Sequence, residues 1–327
     1  MAVMTDVLRE TNFLWLGKKY KGKVRDVYEP STGSTSSQQA GSGQGSLIII
    51  TTDRMTGFDR LLAHVPHKGQ VLNQISAFWF DQTKDIIPNH VIAVPDPNVT
   101  VGKKCKPIRI EGVVRGYLTG VTDTAIWTRY QKGIRDFGGV TFPEGMKKNQ
   151  RLPHAIFDPT TKENVHDRTL SPEEMISEGF ITKELFEKVK AVSLALFGRG
   201  QEIAAKRGLI LVDTKYEYGI DESGNLILID EIHTPDSSRY WYLDSYPERF
   251  EAGKEPEYFD KEFLRLWFKE HCDPYKDKTL PEAPPDKVEE LSHRYVRLYE
   301  QITGQTFVAG DQPILLRLER NLEKYKV

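Results

Sequence analysis

Two apolar runs each end in a cluster of ionised side chains, Leu209-Ile-Leu-Val-Asp213-Thr-Lys215-Tyr-Glu217 and Leu226-Ile-Leu-Ile-Asp230-Glu231-Ile-His-Thr-Pro-Asp236-Ser237-Ser-Arg239. Unbroken Leu/Ile/Val predicts strands buried on both faces, since a half-exposed strand alternates from its first residue. Burying an unpaired charge costs several kcal/mol, so these groups require partners of opposite sign. Along a strand Asp213, Lys215 and Glu217 share one face, while Thr214, Tyr216 and Tyr218 take the other. Asp221-Glu-Ser-Gly-Asn225 predicts a hairpin turn, and a loop symmetric about Ser223-Gly224 sets Glu217 opposite Asp230. Opposed carboxylates repel unless a divalent ion or a shared proton lies between them. Hard oxygen donors, with only His233 nearby, favour Mg²⁺ over zinc. The alternative, a solvated hairpin with its charges in water, sits badly with the continuous apolar runs.

The remaining composition narrows the class. A chain of 327 residues is long enough for one large domain or two lobes. A formal net charge of -2 exerts no overall pull toward nucleic acid or a membrane surface, so phosphate binding must come from local basic residues. No apolar stretch reaches membrane-spanning length, and Met-Ala-Val-Met-Thr-Asp lacks the basic-then-apolar pattern of a leader; the expected compartment is the cytoplasm. Cys105 and Cys272 have no metal or redox spacing and read as structural thiols.

Several segments organise the rest. Tyr20-Lys-Gly-Lys-Val-Arg-Asp-Val-Tyr28 alternates like a strand, which puts Lys21, Lys23 and Arg25 on one face. The run 31–46 is rich in Ser, Gly and Gln, cannot pack a core, and leads into the buried strand Leu47–Thr52; together they predict a β-hairpin whose tip carries a flexible insertion. Gly41-x-Gly43-x-Gly45 is read as linker, because a dinucleotide fingerprint follows a strand and opens a helix. Leu72, Ile75, Phe78 and Trp79 recur at helical spacing within 68–80. Breakers at 88–98 precede a strand over 107–115, and 131–172 reads as a long irregular region. Helical periodicity returns at 182–206, 260–271 and 286–303, and no internal repeat is present.

The stripe Lys21, Lys23, Arg25 beside Gly22 suits a phosphate clamp, because glycine admits a close backbone and the cations neutralise charge. Thr51-Thr-Asp53-Arg54-Met-Thr-Gly-Phe-Asp59 and Val113-Val-Arg115-Gly-Tyr117 also bring polar groups to strand ends, where α/β proteins assemble sites. No P-loop, Gly-x-Ser-x-Gly or His-Glu-x-x-His occurs. Carboxylates with Lys or Arg at strand ends suit Mg²⁺-nucleotide phosphoryl transfer, whether by a ligase, a kinase or a non-catalytic nucleotide-binding module. The absence of His-Arg-Asp argues against a protein kinase, and the tripeptide Asp136-Phe137-Gly138 does not make one without that catalytic loop.

With these segments in place the chain resembles the SAICAR synthetase family, phosphoribosylaminoimidazole-succinocarboxamide synthases, along nearly its whole length. The resemblance rests on Gly22-Lys-Val-Arg-Asp26, Thr52-Asp-Arg54, Lys68-Gly69, Val114-Arg-Gly-Tyr-Leu-Thr-Gly120, Gln150-Arg-Leu-Pro153, Pro159-Thr-Thr-Lys162, Val212-Asp-Thr-Lys-Tyr-Glu217 and Asp230-Glu-Ile-His-Thr-Pro-Asp-Ser-Ser-Arg239. The C-terminal part, through Phe263-Leu-Arg-Leu-Trp-Phe268, looks like the plant and bacterial branch.

This resemblance implies a two-lobed α+β or α/β fold related to ATP-grasp, with C-terminal helices. A β-rich lobe would cover 1–110 and an α/β lobe 111–327. It implies an enzyme of purine biosynthesis, monomer or homodimer, that uses ATP to join the ribonucleotide CAIR to L-aspartate through an acyl phosphate, with Mg²⁺. Lys21, Gly22, Lys23, Val24, Arg25, Glu111, Lys215, Glu217 and Asp230 would bind ATP, with Glu217 and Asp230 on the metal. Arg115, Thr122, Asp236, Ser237 and Arg239 would bind CAIR, with Lys215 and Arg239 in catalytic roles. Asp53, Arg54 and Asp59 would lie near aspartate. Many family members carry Ser after the Leu-Thr-Gly that ends at Gly120, whereas this chain has Val121, so a hydroxyl contact there must come from Thr122 or be missing.

Overall fold

The chain crosses from one antiparallel sheet to another through the connector between Lys103 and Lys106, and that crossing creates the cleft described below. The computed structural model describes residues 6–30, 45–122, 125–162, 168, 170–259 and 262–326. The run expected to form the flexible insertion falls outside these residues except at 45 and 46.

Strands β1 (Lys18–Lys21), β2 (Arg25–Glu29), β3 (Ser46–Thr51), β4 (Arg54–Gly57), β5 (Arg60–His64), β6 (Val91–Asp96) and β7 (Val99–Lys103) come first. The first sheet runs β1-β2-β3-β7-β6, and β4 and β5 pair separately. The antiparallel pairing of β2 with β3 is the hairpin expected from sequence. The single strand expected over 20–28 is instead two strands. Gly22 N donates to the Arg25 carbonyl at 2.8 Å, closing a tight turn that sets Lys21 opposite Asp26, so Lys21, Lys23 and Arg25 do not share a strand face. The breakers at 88–98 likewise sit in and around the β6–β7 hairpin. Pro95 is tolerated because β6 is an edge strand, where a missing N–H removes no central ladder bond.

The second sheet is assembled from β8 (Lys106–Pro107), β9 (Ile110–Leu118), β12 (Gln150–Phe157), β13 (Thr160–Thr161), β14 (Leu209–Ile220), β15 (Leu226–Ile229) and β16 (Ser238–Tyr242), while β10 (Asp136–Phe137) and β11 (Val140–Thr141) form a small separate pair. Its central strand β14 is buried over most of its length, as its apolar run requires. The region 131–172, expected to be irregular, contains β10 to β13; the pairing of β12 and β13 with β9 supplies the order that local sequence did not announce.

The helices are α1 (Lys68–Gln82), α2 (Ile126–Gln131), α3 (Pro172–Ser177), α4 (Lys183–Lys206), α5 (Tyr246–Glu251), α6 (Glu262–His271), α7 (Pro285–Thr303) and α8 (Ile314–Leu322). Leu72, Ile75 and Trp79 of α1 are fully buried, and α1 packs against α7. The long helix α4 starts where the Thr182 hydroxyl accepts from Leu185 N, satisfying an otherwise orphaned end donor, and it covers β14 and β9. Helix α8 returns to the first sheet. Its Ile314, Leu318 and Leu322 share a core with Leu8, Tyr28, Ile48 and Val101, and the buried Arg317 donates to Asp96 at 2.9 Å and to Asn98 at 2.6 Å. No described helix is long and apolar enough to cross a membrane.

Candidate active site

Between the two sheets lies a cleft of about 730 Å³ with a graded lining. One end is apolar, from Val24, Val27, Leu47, Ile49 and Ile229, and is closed by Lys103, Cys105 and Pro107 of the connector. The other is charged, from Arg25, Glu111, Lys162, Lys215, Glu217, Asp230, Glu231 and Asp236. A flat aromatic group with a polyanionic tail matches that gradient.

The charged end is an alternating network. Lys215 Nζ lies 2.9 Å from Glu111 and 2.6 Å from Glu217, while the other Glu217 oxygen pairs with Lys162. Arg25 pairs with Asp230 and reaches Glu231 at 2.9 Å. Burial alone would lower Lys215, but Glu217, Glu111 and Asp230 outweigh it and hold the ammonium well above its usual range. Burial raises Glu217, yet Lys215 and Lys162 keep it well below the usual carboxylate range. For Asp230 burial prevails over Arg25, with Glu217 and Glu231 adding to the rise. This site carries closely spaced carboxylates that a cation relieves.

The hairpin register differs from expectation by one residue. Ile220 faces Leu226, so the loop is five residues centred on Ser223, and Glu217 faces Ile229 rather than Asp230. The turn bonds Asp221 N to Asn225 O and Gly224 N to Asp221 O, with Gly224 at φ +80°, a conformation glycine adopts without strain. Asp230 lies just past β15 in the left-handed region, φ +69°, and still borders the same cleft as Glu217.

A second cavity, about 160 Å³, adjoins the first and shares Lys215 and Asp236 with it. Its lining includes Arg115, Asp213, Ser237, Arg239, Glu262 and Arg265. Arg115 Nε donates to Asp158 at 2.8 Å, Arg239 pairs with Asp213, and Asp236 accepts from Lys68 at 2.7 Å and from the Tyr295 hydroxyl at 2.9 Å. Beyond Arg239 a smaller cavity of about 50 Å³ is lined by Thr119, Gly120, Val121, Lys148 and Asn149.

Of the residues expected to bind ligands, Gly22, Lys23, Val24, Arg25, Glu111, Lys215, Glu217 and Asp230 border the first cleft, and Arg115, Asp236, Ser237 and Arg239 the second. Lys21 does not line the cleft; it pairs with Glu10 at 2.6 Å on the outer side of its hairpin. Thr122 borders none of these cavities, and its carbonyl accepts from Ala125 N. Asp53 is 1 % exposed, with its oxygens accepting from Leu8 N and Gly69 N, each within 2.8 Å. Arg54 is buried against Asp26 and the Gly22, Lys23 and Arg9 carbonyls. Both side chains are therefore engaged by contacts among the described residues, and neither borders the two larger cavities. Asp59 is exposed and pairs with Lys23 at 2.5 Å.

The sequence reading missed the connector residues, the apolar wall, Lys162, Glu262 and Arg265. Lys162 and Arg265 stood within quoted motifs, but nothing local revealed which cavity they would face. Arg265 Nε is buried with no hydrogen-bond partner among the described residues. No group of three or more His, Cys, Asp or Glu among those residues is arranged to hold a metal ion. The donor set nonetheless fits Mg²⁺, which keeps several waters and binds through one or two carboxylates plus substrate phosphates.

The SAICAR synthetase family model matches residues 18–281. A phosphoribosylaminoimidazole-succinocarboxamide synthase of Legionella pneumophila (strain Paris) is 53% identical across 97% of this chain and 98% of its own length. The chloroplastic enzyme of that name from Arabidopsis thaliana is 50% identical, covering 97% of this chain and 76% of its own. Among solved structures, the Saccharomyces cerevisiae SAICAR synthase complexed with SAICAR superposes with a TM-score of 0.76 at 28% identity, over 92% of this chain and all (100%) of that one. A type-2 SAICAR synthetase in complex with ADP shares the fold, at a TM-score of 0.65 and 24% identity over 89% of this chain and 100% of that one. The mixed α/β, ATP-grasp-related architecture is thus the one expected, and the chain belongs to the SAICAR synthetase family.

Proposed function

We propose that this chain is a cytosolic ATP-dependent ligase that condenses CAIR with L-aspartate to give SAICAR, ADP and phosphate. The observation that carries the reading is the junction at Lys215 and Asp236, where a nucleotide-shaped cleft meets an arginine-lined anion pocket. A phosphoryl donor in one and a carboxylate acceptor in the other meet beside the Lys215 ammonium.

The apolar end takes the adenine, with the connector's backbone as hydrogen-bonding edge, and the triphosphate extends toward Lys23, Arg25 and Lys215. Glu217 and Asp230 would hold Mg²⁺, which neutralises phosphate charge when bound. Binding then exchanges the internal ion pairs of Glu217 and Asp230 for contacts with the nucleotide complex. In the second cavity Arg115 and Arg239 hold the anionic groups of CAIR, with Ser237 and Asp236 on its polar edge. Arg265, whose Nε has no hydrogen-bond partner among the described residues, and Glu262 complete the wall available to aspartate.

A carboxylate is a poor electrophile. Its oxygen therefore attacks the γ-phosphorus as the bond to ADP breaks, and the aspartate amine then attacks the acyl carbon as phosphate leaves. Lys215 offsets the charge that accumulates when one anion approaches another, a preorganised contribution of several kcal/mol. The test is turnover with ATP, CAIR and aspartate, each omitted in turn. ADP release should need all three; release at full rate without aspartate would indicate a kinase.

A further inference from the structure

On the far side of the 255–258 segment from the anion pocket lies a separate cavity of about 420 Å³, within the range of small-molecule sites. Arg249, Arg294 and Arg297 converge on it, with Tyr242, Tyr258 and Phe259 as aromatic walls. The three glutamates that line it do not neutralise it fully. The Glu255 carboxylate bonds Lys148 at 2.5 Å and Asn149 at 3.1 Å, and Glu290 pairs with Arg294 at 2.8 Å. Glu257 lies 3.6 Å from Arg249, too far for a strong bond. Arg297 makes no ion pair or hydrogen bond among the described residues and is exposed at the mouth.

Guanidinium forks bind phosphate bidentately, and aromatic walls accept a base by stacking. We propose that this cavity binds a purine nucleoside monophosphate, distinct from the substrate sites, and that its occupant changes the affinity of the ribonucleotide pocket. The route is physical. Glu255, Pro256 and Tyr258 line both this cavity and the small one beside Arg239. Arg249 Nε donates to the Glu255 carbonyl at 2.6 Å, so a phosphate that draws Arg249 away loosens the segment. The Glu255 side chain holds Asn149, whose Oδ1 accepts from the Thr119 hydroxyl at 2.7 Å; both residues line the small cavity that Arg239 shares with the ribonucleotide pocket. Asn149 sits at φ +65° and is buried, so it has few other conformations in which to make both bonds.

The test uses the full chain preloaded with Mg-ADP and CAIR, which occupies the substrate sites without turnover. Equilibrium dialysis with AMP should then show one further equivalent bound. Adenosine and inorganic phosphate, each carrying half of the recognised chemistry, should bind about tenfold or more weakly. Arg297→Gln should weaken AMP about tenfold and Arg297→Lys less, with turnover lacking AMP unchanged, since Arg297 touches no substrate pocket. At saturating ATP, AMP should shift the KM for CAIR at least about threefold in the wild type and not in Arg297→Gln. No further equivalent, binding that survives Arg297→Gln, or an unchanged KM overturns the proposal. Wild-type turnover, measured first, separates this outcome from failure of the ligase reading on which the preloading rests.

Discussion

Replacing Glu217 by Gln removes one anionic oxygen donor from the junction while keeping the side chain's size. Lys215 retains Glu111 at 2.9 Å, so its buried ammonium is not orphaned. Lys162, with 39% of its side chain exposed, can turn to water. The stability cost should therefore be about 1–2 kcal/mol, below the 3–5 kcal/mol typical of a fully stranded buried charge. The melting temperature should fall by only a few degrees. Catalysis loses more: one preorganised electrostatic contact at a reacting phosphoryl group is worth about 3–4 kcal/mol, or a kcat lowered by about 10²–10³-fold. Steady-state ADP release across a Mg²⁺ titration, beside a thermal melt, reads both effects. A kcat within about threefold of wild type with an unchanged Mg²⁺ midpoint would refute the placement of Glu217 at the metal and phosphates.

Asp230→Asn should act in the same way with the fold intact, because Asn tolerates the φ of +69° found there; a cold-unfolded or melted variant by circular dichroism would count against this. Gly69→Ala should cost more than about 3 kcal/mol, since a Cβ would lie 2.3 Å from the Thr51 carbonyl oxygen; urea unfolding near wild type would contradict the packing. Burial pushes Asp53 up to about 6 against its ordinary 3.8, despite its two backbone N–H donors. Between those values the folded chain binds a proton that the unfolded chain has released, so Asp53's contribution to stability falls as pH rises through that window, by up to about 3 kcal/mol. The wild-type advantage over Asp53→Asn should thus shrink between pH 4 and 7; a constant gap in urea unfolding would exclude it. Oxygen-18 in the CAIR carboxylate should appear in released phosphate, and label found only in the amide product would eliminate the acyl phosphate.

Much of the site was legible because its chemistry is concentrated in short segments. Leu209 to Glu217 and Leu226 to Arg239 announce buried strands ending in charge, and burial energetics alone demand partners for Lys215, Glu217, Asp230 and Arg239. Helices α1, α4, α6 and α7 follow from apolar periodicity, which is a local property. Registers and destinations were not local. The β14–β15 offset depends on whether the turn centres on Ser223 or beside it, a one-residue difference with little signature in Asp221–Asn225. Asp53 and Arg54 carry charges as suggestive as those of Asp230, and only the packing of Leu8, Gly69 and Asp26 around them marks them as internal braces. Composition and periodicity by themselves determined that apolar strands would deliver carboxylates and cations to shared ends, because hydrophobic burial and charge pairing act on neighbours in the chain. Which cations meet which carboxylates, and that the connector, Lys162 and Arg265 join them, was decided by tertiary structure, because those contacts span scores of residues and exist only once both sheets face each other.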